Sequence, residues 1–155
     1  MITTDIAIVG ARPVALFAIF EAELLKMHCH LIDYLPQVGG QLSEIYPKKP
    51  IYDIPGYLTV LAQELIDNLV KQAEPFNATY TLGERIESLE KIGERDFILT
   101  TNMGTKINAA VVVIAGGLGC FEPRKPEVAD LHRFENGKGI SYMVLDPETY
   151  RDKKL

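Results

Sequence analysis

Apolar positions along this chain follow three different rhythms, and each rhythm predicts a different element. Ile6, Ala7, Ile8 and Val9 form an unbroken apolar run, and Val111 to Ala115 (VVVIA) form another. Such runs suit strands buried on both faces of a parallel sheet. Val14, Phe17, Ala18, Leu24 and Leu25 instead recur at helical spacing and predict a helix with these residues on its core-facing stripe. Leu61 to Ala73 (LAQELIDNLVKQA) repeats that spacing, with Leu61, Leu65, Ile66 and Leu69 on the buried side. Thr79 to Leu82 reads as a further sheet strand. Glu84 to Leu89, Phe97 to Thr101 and Thr105 to Ile107 read as a small antiparallel meander, with turn signals at Gly93 and at Asn102 to Gly104. The stretch from Tyr34 to Tyr57 is too rich in Pro, Gly and Tyr for a regular element. A loop of that length in a compact domain is more often functional than idle.

The first forty residues run strand, tight turn, helix, strand, and close on the acidic Asp33. This is the order of a βαβ unit that brings backbone N–H groups and a helix N-terminus against a pyrophosphate. Its turn fingerprint, G-x-G-x-x-G/A, is met at Gly10 and Ala15 and broken in the middle by Arg12. Gly10 allows the sharp turn, and Ala15 is small enough for helix and strand to pack closely. Pro13 suits the first helical position, where a missing N–H costs nothing. Asp33 lies 23 positions after Gly10 (33 − 10), near the offset of about 20 for a carboxylate that bonds a ribose hydroxyl. Arg12 admits two outcomes. Its side chain crowds a phosphate that the middle glycine would have let approach, or its planar guanidinium reaches round and pairs with phosphate oxygens. A βαβ unit that holds no nucleotide is the remaining alternative.

Composition narrows the class. The 155 residues make one ordinary domain by length, and 47% hydrophobic content supports a real core. A formal net charge of −5, with no basic cluster carrying interleaved aromatics, argues against nucleic acid as a partner. No apolar stretch approaches the roughly 18 residues of a membrane span and no signal segment opens the chain, so a cytoplasmic location is the expectation. Cys29 and Cys120 lie 91 positions apart (120 − 29) and encode no C-x-x-C dithiol. His28 and His30 alternate on a strand, but two imidazoles alone make a poor metal site, and packing or surface roles are expected instead. His132 has no acidic or nucleophilic neighbour and reads as a surface loop residue. The VVVIA strand exits through Gly116, Gly117 and Gly119, where backbone can approach a ligand closely.

The order βαβ, crossover helix, strand, meander, buried strand, glycine-rich exit matches a Rossmann-like FAD-binding domain, an α/β fold with a parallel sheet plus a small antiparallel meander. Specific segments carry a closer resemblance: PVALFAIF after the turn, HLIDYLPQVGGQLSEIYPKKPIYDIPGY, AQELIDNL, and the run from VVVIAGG to FEPRKPE. On these the chain resembles the N-terminal part of ferredoxin-NADP reductases of the thioredoxin-reductase-like type. The resemblance implies that Asp33 holds the adenosine ribose of FAD, and that Gln41, Tyr46 and Phe121 contact the flavin. It implies that Ile86 meets the adenine end through main-chain atoms. It also implies a family activity in which NADPH reduces the flavin and electrons pass singly to ferredoxin or flavodoxin, with no catalytic acid, base or nucleophile. Thioredoxin reductase activity itself is disfavoured, because it needs a C-x-x-C.

By that resemblance, residues 1–120 are the FAD-binding domain, including the meander at 84–107. Residues 121–155 are a connecting segment toward an NADPH-binding domain that the chain does not contain. The family's returning C-terminal strand is likewise expected to be missing, so the fold is incomplete. Val111 to Ala115 then becomes an open sheet edge, which invites self-association as a homodimer. NADPH-driven turnover by this polypeptide alone is not expected. Three readings stand: the FAD-binding portion of a flavoprotein oxidoreductase, a non-catalytic truncated remnant with impaired flavin binding, and an interaction module that pairs through the open edge.

Overall fold

Alternation, apolar runs and glycine turns resolve into a six-stranded mixed sheet with helices packed on it. The structure is a computed structural model that describes residues 1–120, 125–135, 138–142 and 147–152. The elements are β1 (Ile2–Val9), α1 (Pro13–Leu24), β2 (Cys29–Asp33), α2 (Gln41–Glu44), β3 (Pro50–Ile51), β4 (Val60–Leu61), α3 (Ala62–Ala73), β5 (Thr79–Leu82), β6 (Ile86–Gly93), β7 (Asp96–Thr101) and β8 (Lys106–Ile114). The large sheet has the order β5-β2-β1-β8-β7-β6, and β3 and β4 form a separate two-stranded ribbon. Strands β5, β2, β1 and β8 run parallel to one another, whereas β7 pairs antiparallel with β8 on one side and β6 on the other. The expected α/β fold with parallel sheet and meander is therefore present, with the meander built into the same sheet.

Two compact units are present, Met1–Cys120 and Phe121–Leu155. In the second, a 3₁₀ turn spans Leu131–Arg133, and Glu135 Oε1 accepts from Lys125 Nζ and Tyr142 Oη, both at 2.7 Å. The first unit holds the core. One cluster joins Ile6 and Ile8 to Leu16, Ile19, Leu31 and Ile66. A second joins Ala7 and Ile32 to Leu99, Ile107 and Ala109.

Several sequence expectations need correction. The buried stripe of α1 is Ala15, Leu16, Ile19, Ala22 and Glu23, not the expected one. Val14 and Leu25 are more than 70% exposed, and Phe17 and Leu24 are exposed as well; only Ala18 of the expected set packs on the core. This helix is apolar almost all round, so periodicity alone could not say which face meets the sheet. Leu61 is also exposed, because it belongs to the β3–β4 ribbon ahead of α3. Leu65 and Ile66 are buried as expected, and Leu69 packs against them in part.

The third meander strand and the VVVIA run are one continuous strand, β8. Its pairing with β1 extends from Ile2 opposite Ile107 to Val9 opposite Ile114. Its pairing with β7 stops at Ala109, opposite Phe97. Among the described residues, no strand covers that side of β8 from Ala110 to Ile114. Val111 and Ile114 are exposed rather than buried in consequence.

Candidate functional site

Three parallel strands end side by side at one edge of the sheet, and the turns that leave them form the site. The Gly10 N–H donates to the Ile32 carbonyl oxygen at 2.7 Å, and the Ala115 N–H to that of Val9 at 2.8 Å. Strand β1 leads through α1 to β2 on one side, while β8 lies on its other side. A crevice beyond the carboxyl ends of strands at such a reversal is where open α/β sheets bind ligands. Gly10 has φ +109°, and a Cβ on it would fall 2.6 Å from the Ala115 carbonyl oxygen. Glycine is required there on both counts. Pro13 begins α1, the Leu16 N–H donates to the Arg12 carbonyl oxygen at 3.1 Å, and Ala15 is fully buried where the helix meets the sheet.

Asp33, at the end of β2, ties two turns together. Its Oδ2 accepts the Ala11 N–H at 2.6 Å and its Oδ1 accepts the Leu35 N–H at 2.8 Å. Each carboxylate oxygen has a second acceptor site left for a ligand hydroxyl. The chain returns to the same place after β5: the Glu84 N–H donates to the Asp33 carbonyl oxygen at 3.1 Å and the Gly83 N–H to that of Leu35 at 3.0 Å. Ile86 follows two residues later at the start of β6, half-buried against the second core cluster.

The long loop approaches from the other side. The Gly39 N–H donates to the Ala11 carbonyl oxygen at 2.7 Å, and Gly40, with φ +59°, precedes the single turn of α2. Gln41 opens that turn. The Tyr46 hydroxyl donates to Gln41 Oε1 at 3.0 Å, so two of the residues singled out from the sequence brace one another. Lys49 Nζ stands 5.0 Å from the Tyr46 ring centre, within cation–π range.

Arg12 lies among these turns. A Cβ on Gly40 would fall 2.8 Å from Arg12 Cγ, and one on Gly117 would fall 3.0 Å from both Arg12 Cζ and Nε. The far end of the side chain donates from Nη2 to the Gly119 carbonyl oxygen at 3.1 Å, while Nε is buried without a partner among the described residues. The arginine therefore threads between the glycine-lined backbones of the 39–40 and 117–119 segments. Sequence reasoning found Arg12 and the glycine-rich exit separately; it missed that Gly39 and Gly40 form the facing wall. The adjacent glycines were the available signal.

The remaining candidates lie elsewhere. His30 is buried, its Nδ1 2.7 Å from Thr79 Oγ1 and its Nε2 2.9 Å from Thr81 Oγ1. Burial lowers its pKa below the ordinary 6.5. His28 is exposed, with Nδ1 3.6 Å from Glu23 Oε2. The buried Glu23 in turn accepts the Cys29 N–H through Oε1 at 2.9 Å. The Cys29 thiol is pushed up to about 11 by burial and by the charges of Glu23 and Asp5. His132 is exposed in its 3₁₀ turn. Among the described residues no cluster of three or more His, Cys, Asp or Glu could hold a metal ion. Phe121 lies outside the described residues.

No family model matches the chain. Over all 155 residues it is 61% identical to "Ferredoxin--NADP reductase 1" of Christiangramia forsetii and 57% identical to "Ferredoxin--NADP reductase" of Flavobacterium psychrophilum. It spans 44% of the length of each. The chain thus resembles the N-terminal portion of ferredoxin-NADP reductases throughout. Among solved structures, thioredoxin reductase from Streptococcus pyogenes superposes with a TM-score of 0.66 at 22% identity, covering 81% of this chain and 38% of that one. That likeness shows a shared fold.

Proposed function

We propose that this chain is the FAD-binding portion of a flavoprotein oxidoreductase that transfers electrons between NADPH and ferredoxin or flavodoxin. The observation that carries the reading is the convergence at one reversal of the sheet of the Gly10 turn, the Asp33 carboxylate and the Gly116–Gly119 exit. The identity to the reductases of Christiangramia forsetii and Flavobacterium psychrophilum supports the choice of family. In this reading Asp33 takes the adenosine ribose, Gly10, Pro13 and Ala15 shape the pyrophosphate turn, and Ile86 lies toward adenine. Gln41, Tyr46 and Phe121 serve the flavin end. Residues 1–120 are the cofactor domain and 121–155 the connecting segment. The chemistry is the flavin's, and these residues supply position and electrostatics.

The open stretch of β8 from Ala110 to Ile114 supports self-association as a homodimer, since unpaired strand edges template pairing with another chain. No helix among the described residues is long and apolar enough to cross a membrane, which supports the cytoplasmic assignment.

One residue does not fit the cofactor. The space between Gly40 and Gly117 already contains the Arg12 side chain, and this favours a second reading, a remnant with impaired flavin binding. Titration with FAD, followed by quenching of flavin fluorescence, tests the main proposal. Saturable binding by the chain or by Arg12→Gly supports it. Failure of both to bind overturns it.

A further inference from the structure

We propose that Arg12 is the resident occupant of the nucleotide cradle, a plug that a dinucleotide pyrophosphate must displace before it can bind. The inference rests on the flavin-binding reading above. Volume argues for it first. The Arg12 stem and guanidinium lie against Gly40 and Gly117: a Cβ would fall 2.8 Å from Cγ at the first and 3.0 Å from Cζ and Nε at the second, so a methyl group at either position would have to push the arginine aside. The side chain therefore occupies space between these backbones that a phosphate entering there would have to share.

Bonding argues for it next. Among the described residues, the guanidinium is held by one hydrogen bond, from Nη2 to the carbonyl oxygen of Gly119, 107 positions away. That bond ties the first turn to the glycine-rich exit. Nε finds no acceptor among the described residues, and a cation at the N-terminus of α1 opposes the helix dipole. The lodged state is thus imperfectly satisfied. What recommends it is that the side chain lies against the glycine backbones of both the 39–40 and the 117–119 segments.

A clamp, in which the arginine grips phosphate and raises affinity, is the rival account. The two predict opposite orders of affinity. A plug acts by volume, so Arg12→Gly binds FAD more tightly than the native chain, and Arg12→Met, which keeps the bulk without the charge, does not. A clamp acts by charge, so both substitutions weaken binding.

The test is the FAD dissociation constant of the native chain, Arg12→Gly and Arg12→Met by fluorescence quenching, each checked for fold by circular dichroism. A tenfold or greater gain in affinity for Arg12→Gly, with none for Arg12→Met, is the expected result. If Arg12→Gly does not fold, Arg12→Ala takes its place, with at least a threefold gain expected because it removes Cγ, Cδ and the guanidinium, the Arg12 atoms nearest to Gly40 and Gly117. Native affinity equal to or above that of the glycine or alanine variant overturns the plug and leaves the flavin-binding reading standing. No binding by any of them overturns that reading and the plug with it.

Discussion

The Asp33 carboxylate accepts the Ala11 N–H at 2.6 Å, joining the end of β2 to the turn after β1 across 22 positions. The residue placed by the sequence pattern for a ribose is thus already part of the scaffold, because its second oxygen holds the Leu35 N–H. Removing the carboxylate strands two backbone donors in a half-buried turn. Asp33→Ala is expected to lower stability by about 2 kcal/mol, given the usual worth of hydrogen bonds to charged acceptors. Asp33→Asn, which keeps one acceptor oxygen, loses about half of that. Urea unfolding midpoints check both; equal midpoints for native and Asp33→Ala would remove the structural role.

Arg12 and Gly117 are expected to be energetically coupled. Gly117→Ala carries a left-handed strain at φ +57° in any background, but the contact with Arg12 exists only when the arginine is present. A double-mutant cycle on stability should give a coupling of about 1 kcal/mol, with Gly117→Ala milder in the Arg12→Gly background. Additive effects would show that the side chain does not lodge there.

Cys29 should be inert. Its thiol is buried and its pKa is raised to about 11 by that burial and by Glu23 and Asp5. The thiolate is the reactive form, so alkylation near pH 8 is expected to be about a hundredfold slower in the folded chain than in urea. Mass spectrometry of the labelled peptides follows it, and equal rates in both states would contradict the burial.

His30 should make the fold sensitive to mild acid. Burial lowers its pKa from 6.5, so the unfolded chain binds the proton first. Stability from this residue is complete above the unfolded value and is lost as pH falls through 6.5 toward the folded pKa. Unfolding free energies above and below that window should differ more for the native chain than for His30→Gln. An identical pH dependence of the two would exclude His30 as the source.

The open part of β8 should drive self-association. Native chain is expected to elute above its 17.3 kDa monomer mass, and Val111→Lys, which puts a charge on an exposed position of that strand, should shift it toward monomer. Light scattering coupled to size exclusion decides it. A strictly monomeric native chain would remove the edge as an interface.

Much of this protein was legible before any coordinates. The unbroken run at Ile6 to Val9, the Gly10 turn, Pro13 at the start of a helix and Asp33 at the end of β2 are local requirements, written in adjacent residues, and all are met. Helix α3 and the turn at Asn102 to Gly104 were equally local. Other features depended on what stands across space. Which face of α1 meets the sheet was undecidable from a helix apolar almost all round: Leu16 and Ile19 are buried, while Val14 and Leu25 meet water. The VVVIA run reads as a buried strand, yet burial needs a neighbour on each side, and the pairing of β8 with β7 stops at Ala109. Arg12 shows the division most clearly. Its presence in the fingerprint is a fact of sequence, whereas its lodging between Gly40 and Gly117 follows from three segments far apart in the chain. Local conformational preference is a property of neighbouring residues; occupancy of space is settled only when distant ones are brought together.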